Sequence, residues 1–197
     1  MTKILILGAA GQIARVTTAL FLETTNLELV LFARNARRLD GLANNDRVII
    51  IDGDVMDGVK LEAAMAGVDV VYAHLSGNMA AQARTIITAM HNAKVRRLIF
   101  VSSMGIYDEV PGQRYSSVLD PYRDSALALE ASNLDYTIIR PEWLNNRDQI
   151  AYGTTVKGEP FKNPEAYVSR KSVGDLIVKC ATVPGFGIGE SFGVHKA

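Results

Sequence analysis

The chain has 197 residues, 48% of them hydrophobic, and its 21 Lys and Arg residues balance 21 Asp and Glu residues. This composition suits one globular domain with a substantial core. Without excess positive charge, a nucleic acid partner is not expected. The first apolar run, Ile4–Leu7, ends at Gly8 and is too short for a signal-peptide core or a membrane-spanning helix. The single cysteine, Cys180, lies at helical spacing from Leu176 and Ile177, which predicts a buried thiol in a cytoplasmic protein.

Apolar runs of strand length alternate with helical patterns along most of the chain. Each run is almost continuously apolar, as expected for strands buried on both faces of a parallel sheet. Repeated strand–helix–strand units predict an α/β fold with a doubly wound parallel sheet, in three α/β/α layers, as a single domain over residues 1–197. The predicted strands are Lys3–Leu7, Glu28–Ala33, Val48–Asp52, Asp69–Ala73, Leu98–Ser102 and Tyr136–Arg140, and the helical patterns lie around residues 13–20, 61–65, 83–90 and 126–130.

A glycine-rich turn follows the first strand. The segment Gly8–Ala14 reads Gly-Ala-Ala-Gly-Gln-Ile-Ala and leads directly into the first helical pattern. Gly8 permits a tight turn, and Gly11 permits the backbone to approach a pyrophosphate near the helix N-terminus. An ordinary strand–helix connection is the alternative, but the position between a clear strand and a clear helix favours a dinucleotide-binding site of the Rossmann type. The residues predicted to contact the cofactor here are Gly8, Ala10, Gly11, Gln12 and Ile13.

Arginines follow the second strand. Arg34 comes directly after it, with Arg37 and Arg38 close behind. An NAD site usually has a carboxylate at this place for the ribose hydroxyls, whereas an arginine suits the 2′-phosphate of NADP. The pattern therefore predicts NADP(H) in preference to NAD(H), with a solvated loop arginine as the alternative reading of Arg34. Asp54 and Val55, after the third strand, are predicted to hold the adenine edge, although Asp54 is equally compatible with a turn or a helix cap.

Two long segments, 103–121 and 145–170, show little periodicity and contain several glycines and prolines. Long irregular segments in a compact domain are usually binding loops or lids. Both follow predicted strands at their carboxyl ends, where ligands bind in open α/β sheets. We therefore expect them to form the walls of a substrate cleft. Trp143, shortly before the second segment, is predicted as a core residue, with a place in the pocket wall as the alternative.

Several motifs occur together in the order found in a known protein family. They are Gly8–Ala14, Phe32–Asn35, Gly53–Val55, Val101–Tyr107, Leu134–Pro141 and Val168–Val173. In combination they resemble the atypical short-chain dehydrogenase/reductases, specifically the NmrA-like group of small NAD(P)H-binding proteins. The resemblance covers nearly the whole chain. Within this superfamily the chain is similar in size to the biliverdin reductase B/flavin reductase type.

The resemblance implies roles for further residues. Ser103 corresponds to a serine beside the nicotinamide at the end of the fifth strand, although a hydroxyl that bonds the backbone is the alternative. Tyr122 takes the tyrosine place of a Tyr-x-x-x-Lys motif, whose lysine prepares the phenol to donate a proton. The lysine place holds Ala126, so this pair is incomplete, and the same spacing at Tyr167–Lys171 is interpreted as coincidental. The implied catalytic residues are Ser103 and Tyr122, and the implied cofactor contacts add His74, Leu75, Ser76, Ser102 and Pro141.

The incomplete pair bears on the reaction. Carbonyl reduction needs a tuned proton donor, whereas a flavin or quinone accepts hydride on an electron-poor ring. We therefore expect an NADPH-dependent oxidoreductase that reduces a flavin, quinone or similar conjugated acceptor. The alternative is a non-catalytic NADP(H)-binding redox sensor of the NmrA-like type that acts through a protein partner. The expected partner of the enzyme is a small-molecule electron acceptor, without metal, nucleic acid or membrane, and the protein is expected to be a monomer or homodimer.

Overall fold

The computed structural model describes residues 2–197. The strands are β1 (Lys3–Leu7), β2 (Glu28–Ala33), β3 (Val48–Asp52), β4 (Val70–Ala73), β5 (Arg97–Val101), β6 (Asp135–Pro141), β7 (Trp143–Asn145), β8 (Gly153–Thr155), β9 (Tyr167–Ser169) and β10 (Glu190–His195). The α-helices are α1 (Gln12–Thr24), α2 (Gly58–Ala64), α3 (Met79–Ala93), α4 (Asp120–Glu130) and α5 (Arg170–Thr182). Short 3-10 helices cover Ala36–Leu42 and Ser117–Leu119.

The central sheet has eight strands in the order β3-β2-β1-β4-β5-β6-β10-β8. All neighbours pair in parallel except β8, which runs antiparallel to β10. The order from β3 to β6 is that of doubly wound sheets that bind dinucleotides, in which the winding direction reverses between β1 and β4. Ligands bind such sheets at the carboxyl ends of the strands next to this reversal. The predicted Rossmann-like α/β fold is therefore confirmed.

Burial on both faces explains the continuous apolar strands. On β1, Leu5 and Leu7 pack in a core with residues of α2, α3 and α4, whereas Ile4 and Ile6 pack in a second core with residues of α1 and α5. All four side chains are fully buried. Successive side chains of a strand point to opposite faces, so only an unbroken apolar run fills both cores.

The sequence-based bounds of the first six strands agree with the structure to within one residue at each end. The strands β1, β2 and β3 have the predicted bounds, and β4, β5 and β6 differ from them by one residue at one or both ends. The strand β10 was not predicted, because its sequence Glu-Ser-Phe-Gly-Val-His mixes polar and apolar residues after a glycine-rich turn. It extends the sheet beyond β6 through parallel pairing.

The two long segments are more ordered than the sequence suggests. Segment 103–121 buries Met104, Ile106 and Val110. Segment 145–170 contains the short strands β8 and β9, and most of its other residues lie outside helices and strands. Its strands are three residues long, too short to leave a periodic signal in the sequence.

A buried ion pair joins the first segment to the sheet. Arg140 of β6 is fully buried, and its guanidinium donates to the Glu109 carboxylate as well as to the side chain and carbonyl of Ser191 on β10. The same carboxylate accepts the backbone N–H groups of Gly105 and Tyr107 at 3.0 and 2.9 Å. One carboxylate therefore fixes the turn after β5 against β6.

Removal of this carboxylate charge should destabilise the fold strongly. In Glu109→Gln, the Arg140 charge would remain buried without its counter-ion, which typically costs about 3–5 kcal/mol. Urea unfolding monitored by circular dichroism measures this loss. The matched change Asp135→Asn, in the more exposed pair with Arg96, should leave the free energy of unfolding close to wild type. Equal effects of the two substitutions would contradict a special contribution of the buried pair.

Candidate functional site

A cleft with a volume of about 420 Å³ opens at the carboxyl ends of β1 to β4. It brings together most of the residues that the sequence assigned to the cofactor and, in addition, Tyr122. The assigned residues in its wall are Gly8, Ala10, Gly11, Gln12, Arg34, Asp54, Val55, His74, Leu75 and Ser76. The wall also contains residues that the sequence did not assign to it, namely Phe32, Ala33, Arg38, Gly53 and Gln82.

Close approach of two backbone segments shapes the floor of the cleft. Gly8 has a φ of 74°, and a Cβ atom there would lie 2.1 Å from the carbonyl oxygen of His74. A Cβ atom on Gly11 would lie 2.4 Å from the Nδ1 atom of the same histidine. Both positions therefore require glycine, and the space that a side chain would fill stays open.

The N-terminus of α1 lies at this floor. Gly11 is its N-cap and, having no side chain, offers no capping hydrogen bond to the first N–H groups of the helix. These groups and the helix dipole favour an anion. The glycine turn and the helix start therefore fit the pyrophosphate of a dinucleotide. The side chain of Ile13, a further predicted contact, is buried in the core and does not line the cleft.

Two arginines follow β2, one directly after the strand and one in the next 3-10 helix. Arg34 and Arg38 both line the cleft. The Arg34 guanidinium lies 3.8 Å from the carboxylate of Asp54, and both side chains are largely exposed, so this ion pair is weak. Asp54 also accepts the backbone N–H of Met56 at 2.9 Å. It therefore forms a turn and lines the cleft, the two roles that the sequence left open.

His74 lies partly buried behind the glycine turn. Its backbone N–H donates to the carbonyl of Leu7, which aligns it with the end of β1. Its Nδ1 atom is buried without a hydrogen-bond partner among residues 2–197. Burial, helped by the positive charge of Arg170, lowers the pKa of His74 to about 4. The imidazole is therefore neutral near pH 7.

A second cavity of about 300 Å³ lies beyond the ends of β5 and β6. Ser103, Pro141, Glu142 and Trp143 belong to its wall, together with much of the segment 103–121. Trp143 is 54% exposed, so the prediction of a core tryptophan was wrong. Trp143 lies in the two-stranded β7–β9 sheet, outside the main sheet, where it pairs with the equally exposed Tyr167.

Two adjacent serines make different contacts. Ser102 is buried, and its hydroxyl donates to the backbone carbonyl of Tyr122 at 3.4 Å. Ser103 lines the second cavity, whereas Tyr122 lines the cleft. The two residues predicted as catalytic therefore belong to different walls, and Pro141 belongs to the second cavity rather than to the cleft.

Four residues after Tyr122, where the family pattern has a lysine, this chain has Ala126. Ala126 is fully buried in the core, where a lysine would have no access to the cleft. In the other Tyr-x-x-x-Lys sequence, Tyr167 is 55% exposed and Lys171 pairs with Asp148 at 2.5 Å. Lys171 is therefore engaged in a surface ion pair.

Within residues 2–197, no group of three or more His, Cys, Asp or Glu side chains is arranged to hold a metal ion. None of the helices in this range is long and apolar enough to cross a membrane. Cys180 is buried in α5, as its spacing predicted.

Known proteins share both the sequence and the fold. The profile of the NAD(P)H-binding family matches residues 8–184. A Rossmann-fold NAD(P)-binding family protein from Shigella flexneri is 40% identical, with a TM-score of 0.86 over 100% of this chain and 94% of that chain. A short-chain dehydrogenase/reductase (wide type) from Veillonella parvula, solved in complex with NADP, is 30% identical, with a TM-score of 0.90 over 99% of this chain and 94% of that chain.

A more distant likeness concerns the fold alone. ChuY, an anaerobilin reductase from Escherichia coli, is 22% identical, with a TM-score of 0.81 over 99% of this chain and 97% of that chain. No curated protein matches the sequence.

The low pKa of His74 predicts how stability depends on pH. Between the ordinary pKa of 6.5 and the folded value of about 4, the unfolded chain binds a proton that the folded protein does not. This contribution of His74 is present above pH 6.5 and is lost as the pH falls to about 4. Urea unfolding at several pH values should show a shallower acid loss in His74→Gln than in wild type. An acid loss in His74→Gln as steep as that of wild type would contradict the prediction.

Proposed function

The chain belongs to the NAD(P)H-binding family of Rossmann proteins, and on this basis we propose that it is an NADPH-dependent reductase of a flavin, quinone or similar conjugated acceptor. The observation that carries the proposal is the pair of cavities at one edge of the sheet. The cleft suits the dinucleotide, and the second cavity suits the acceptor. When bound, NADPH supplies the hydride that the acceptor takes up.

The choice of NADPH over NADH rests on charge at the end of β2. Arg34 and Arg38 line the cleft, and an arginine fork suits a phosphate on the adenine ribose. The relative from Veillonella parvula is in complex with NADP, which supports the same preference.

The nature of the acceptor rests on the second cavity. The indole of Trp143 and the side chains of Val118 and Met104 give it apolar surface suited to a flat ring system. Ser103 supplies a hydroxyl that can orient the acceptor or the nicotinamide by hydrogen bonding. The segment 103–121 forms much of this wall, as in an enzyme with a binding loop, whereas segment 145–170 does not line it.

We further propose that the reaction takes place in the cytoplasm, where the buried free thiol of Cys180 stays reduced. The partner would be a small-molecule electron acceptor.

A redox sensor is the second candidate function, and the buried Ala126 favours it, because a conventional proton donor is missing. A sensor would bind NADPH without oxidising it. An enzyme would oxidise NADPH when given an acceptor. The two functions therefore differ in a single assay.

Substitution of the cleft arginines should change the choice of cofactor. Arg34→Ala should weaken NADPH binding about 10- to 100-fold, because a charge-assisted hydrogen bond contributes roughly 1.5–3 kcal/mol. Arg38→Ala should act in the same direction, and NADH binding should change little in either variant. Titration of NADPH and NADH fluorescence measures both dissociation constants. Arg37→Ala is the matched control, since Arg37 is exposed and does not line the cleft. A uniform loss for both nucleotides would contradict a role at the 2′-phosphate.

Oxidation of NADPH tests the reductase directly. Purified protein should oxidise NADPH when menadione or FMN is added, faster than it oxidises NADH. Ser103→Ala should lower this turnover, because the acceptor or nicotinamide loses an orienting hydrogen bond, while the dissociation constant for NADPH changes little. Tight binding of NADPH without turnover across such acceptors would favour the sensor.

A further inference from the structure

Two exposed aromatic side chains are neighbours in the small β7–β9 sheet. Trp143 on β7 and Tyr167 on β9 are direct partners in this parallel pair, and more than half of each residue is exposed. The next pair along the strands, Leu144 and Val168, packs with the core that contains residues of α1 and α5. Because successive side chains of a strand point to opposite faces, Trp143 and Tyr167 share the face that is turned away from this core.

The aromatic pair is continuous with the second cavity. Trp143 belongs to the cavity wall, and Tyr167 continues the exposed aromatic surface outside that wall. Val118, another residue of the wall, is 71% exposed. Single exposed apolar side chains are ordinary on a protein surface, but adjacent ones beside a cavity indicate a binding surface.

The size of the cavity indicates what would use this surface. A volume of about 300 Å³ is at the lower end of the range of roughly 300–1,000 Å³ for small-molecule sites. An acceptor with one ring needs little more than such a cavity. A three-ring flavin with its side chain needs additional surface around it, and the exposed faces of Trp143 and Tyr167 provide flat surface of this kind.

We propose that Trp143 and Tyr167 form a stacking platform for the fused rings of the acceptor. This inference rests on the proposed reductase function, and it narrows the substrate class to planar acceptors with fused rings. Aromatic rings attract one another in offset stacks. The side chains of tryptophan and tyrosine offer large, rigid contact areas and lose little conformational entropy on binding. Tyr167 therefore determines specificity through contact with the rings, whereas hydride transfer takes place inside the cavity.

The inference gives a role to a tyrosine that the family pattern leaves without one. Lys171, four residues after Tyr167, pairs with Asp148 at the surface and does not tune the phenol. A stacking platform uses the ring of Tyr167 and not its hydroxyl group. Tyr167→Phe should therefore behave as wild type, whereas Tyr167→Ala should not.

The test measures riboflavin binding in the presence of NADP⁺, which has no hydride to donate. Stacking on an aromatic side chain quenches riboflavin fluorescence, and anisotropy reports binding independently of quenching. Tyr167→Ala should raise the dissociation constant of riboflavin about 3- to 10-fold, as expected for the loss of one aromatic contact. Tyr167→Phe should keep the wild-type value. The control Val59→Ala should also keep it, because Val59 is exposed on α2 and lines neither cavity.

Turnover with NADPH distinguishes ring recognition from a general loss of structure. Tyr167→Ala should raise the KM for riboflavin by a similar factor and leave kcat close to wild type. Its kcat/KM for duroquinone, which has a single ring, should match wild type. Its dissociation constant for NADPH should not change.

Several results would overturn the platform. They are an unchanged riboflavin dissociation constant in Tyr167→Ala, an equal loss for duroquinone, or a weakening in Tyr167→Phe as large as in Tyr167→Ala. A wild-type dimer that dissociates in Tyr167→Ala would identify the aromatic pair as an interface between two copies of the chain, and would overturn it as well.

The proposed function and this inference fail in different ways. Riboflavin binding that depends on Tyr167, without oxidation of NADPH by any acceptor, overturns the reductase and keeps the platform. Turnover of menadione by a wild-type protein that does not bind riboflavin keeps the reductase and overturns the platform.

Discussion

The buried ion pair between Arg140 and Glu109 is the interaction on which the walls of the second cavity depend. Two charges in a dry interior are stable together only because each also has further hydrogen bonds. Arg140 obtains them from β10, and Glu109 obtains them from the turn after β5. The backbone carbonyl of Glu109 also accepts the N–H of Phe161 at 2.8 Å, which ties in the segment 145–170. The walls of the second cavity are therefore held in place by a constraint in the core rather than by surface contacts.

The cleft at the ends of β1 to β4 depends on close packing instead. The N–H of Gly8 donates to the carbonyl of Phe32 at 2.9 Å. His74, directly after β4, lies so close to the glycine turn that a Cβ atom on Gly8 or Gly11 would clash with it. The same close packing removes much of His74 from water, which explains its neutral imidazole. With a neutral imidazole at this place, the helix N-terminus and the arginines are the features of the cleft that would attract the phosphates of a bound dinucleotide.

Sequence patterns predicted the features that depend on neighbouring residues. Continuous apolar runs located β1 to β6, and the glycine spacing located the turn at the floor of the cleft, because both signals are local. The β10 side of the sheet and the second cavity depend on contacts between distant residues. The strand β10 pairs with β6 across roughly 50 positions of sequence. Trp143 lies on β7, which pairs with β9, and Glu142 accepts the backbone N–H of Lys196, 54 positions along the chain. No pattern near residue 142 contains that information.

The division into two cavities bears on the proposed reduction, because Tyr122 lines the cleft whereas Ser103 lines the second cavity. A lysine beside a tyrosine would tune the phenol as a proton donor by adding a positive charge. In this chain the corresponding place holds Ala126, which is buried in the core. An acceptor that takes up hydride on a conjugated ring depends less on such a tuned donor than a carbonyl does. The apolar surface that Trp143 and Val118 give to the second cavity would suit such a flat acceptor, so the shape of this cavity and the missing lysine favour the same class of substrate.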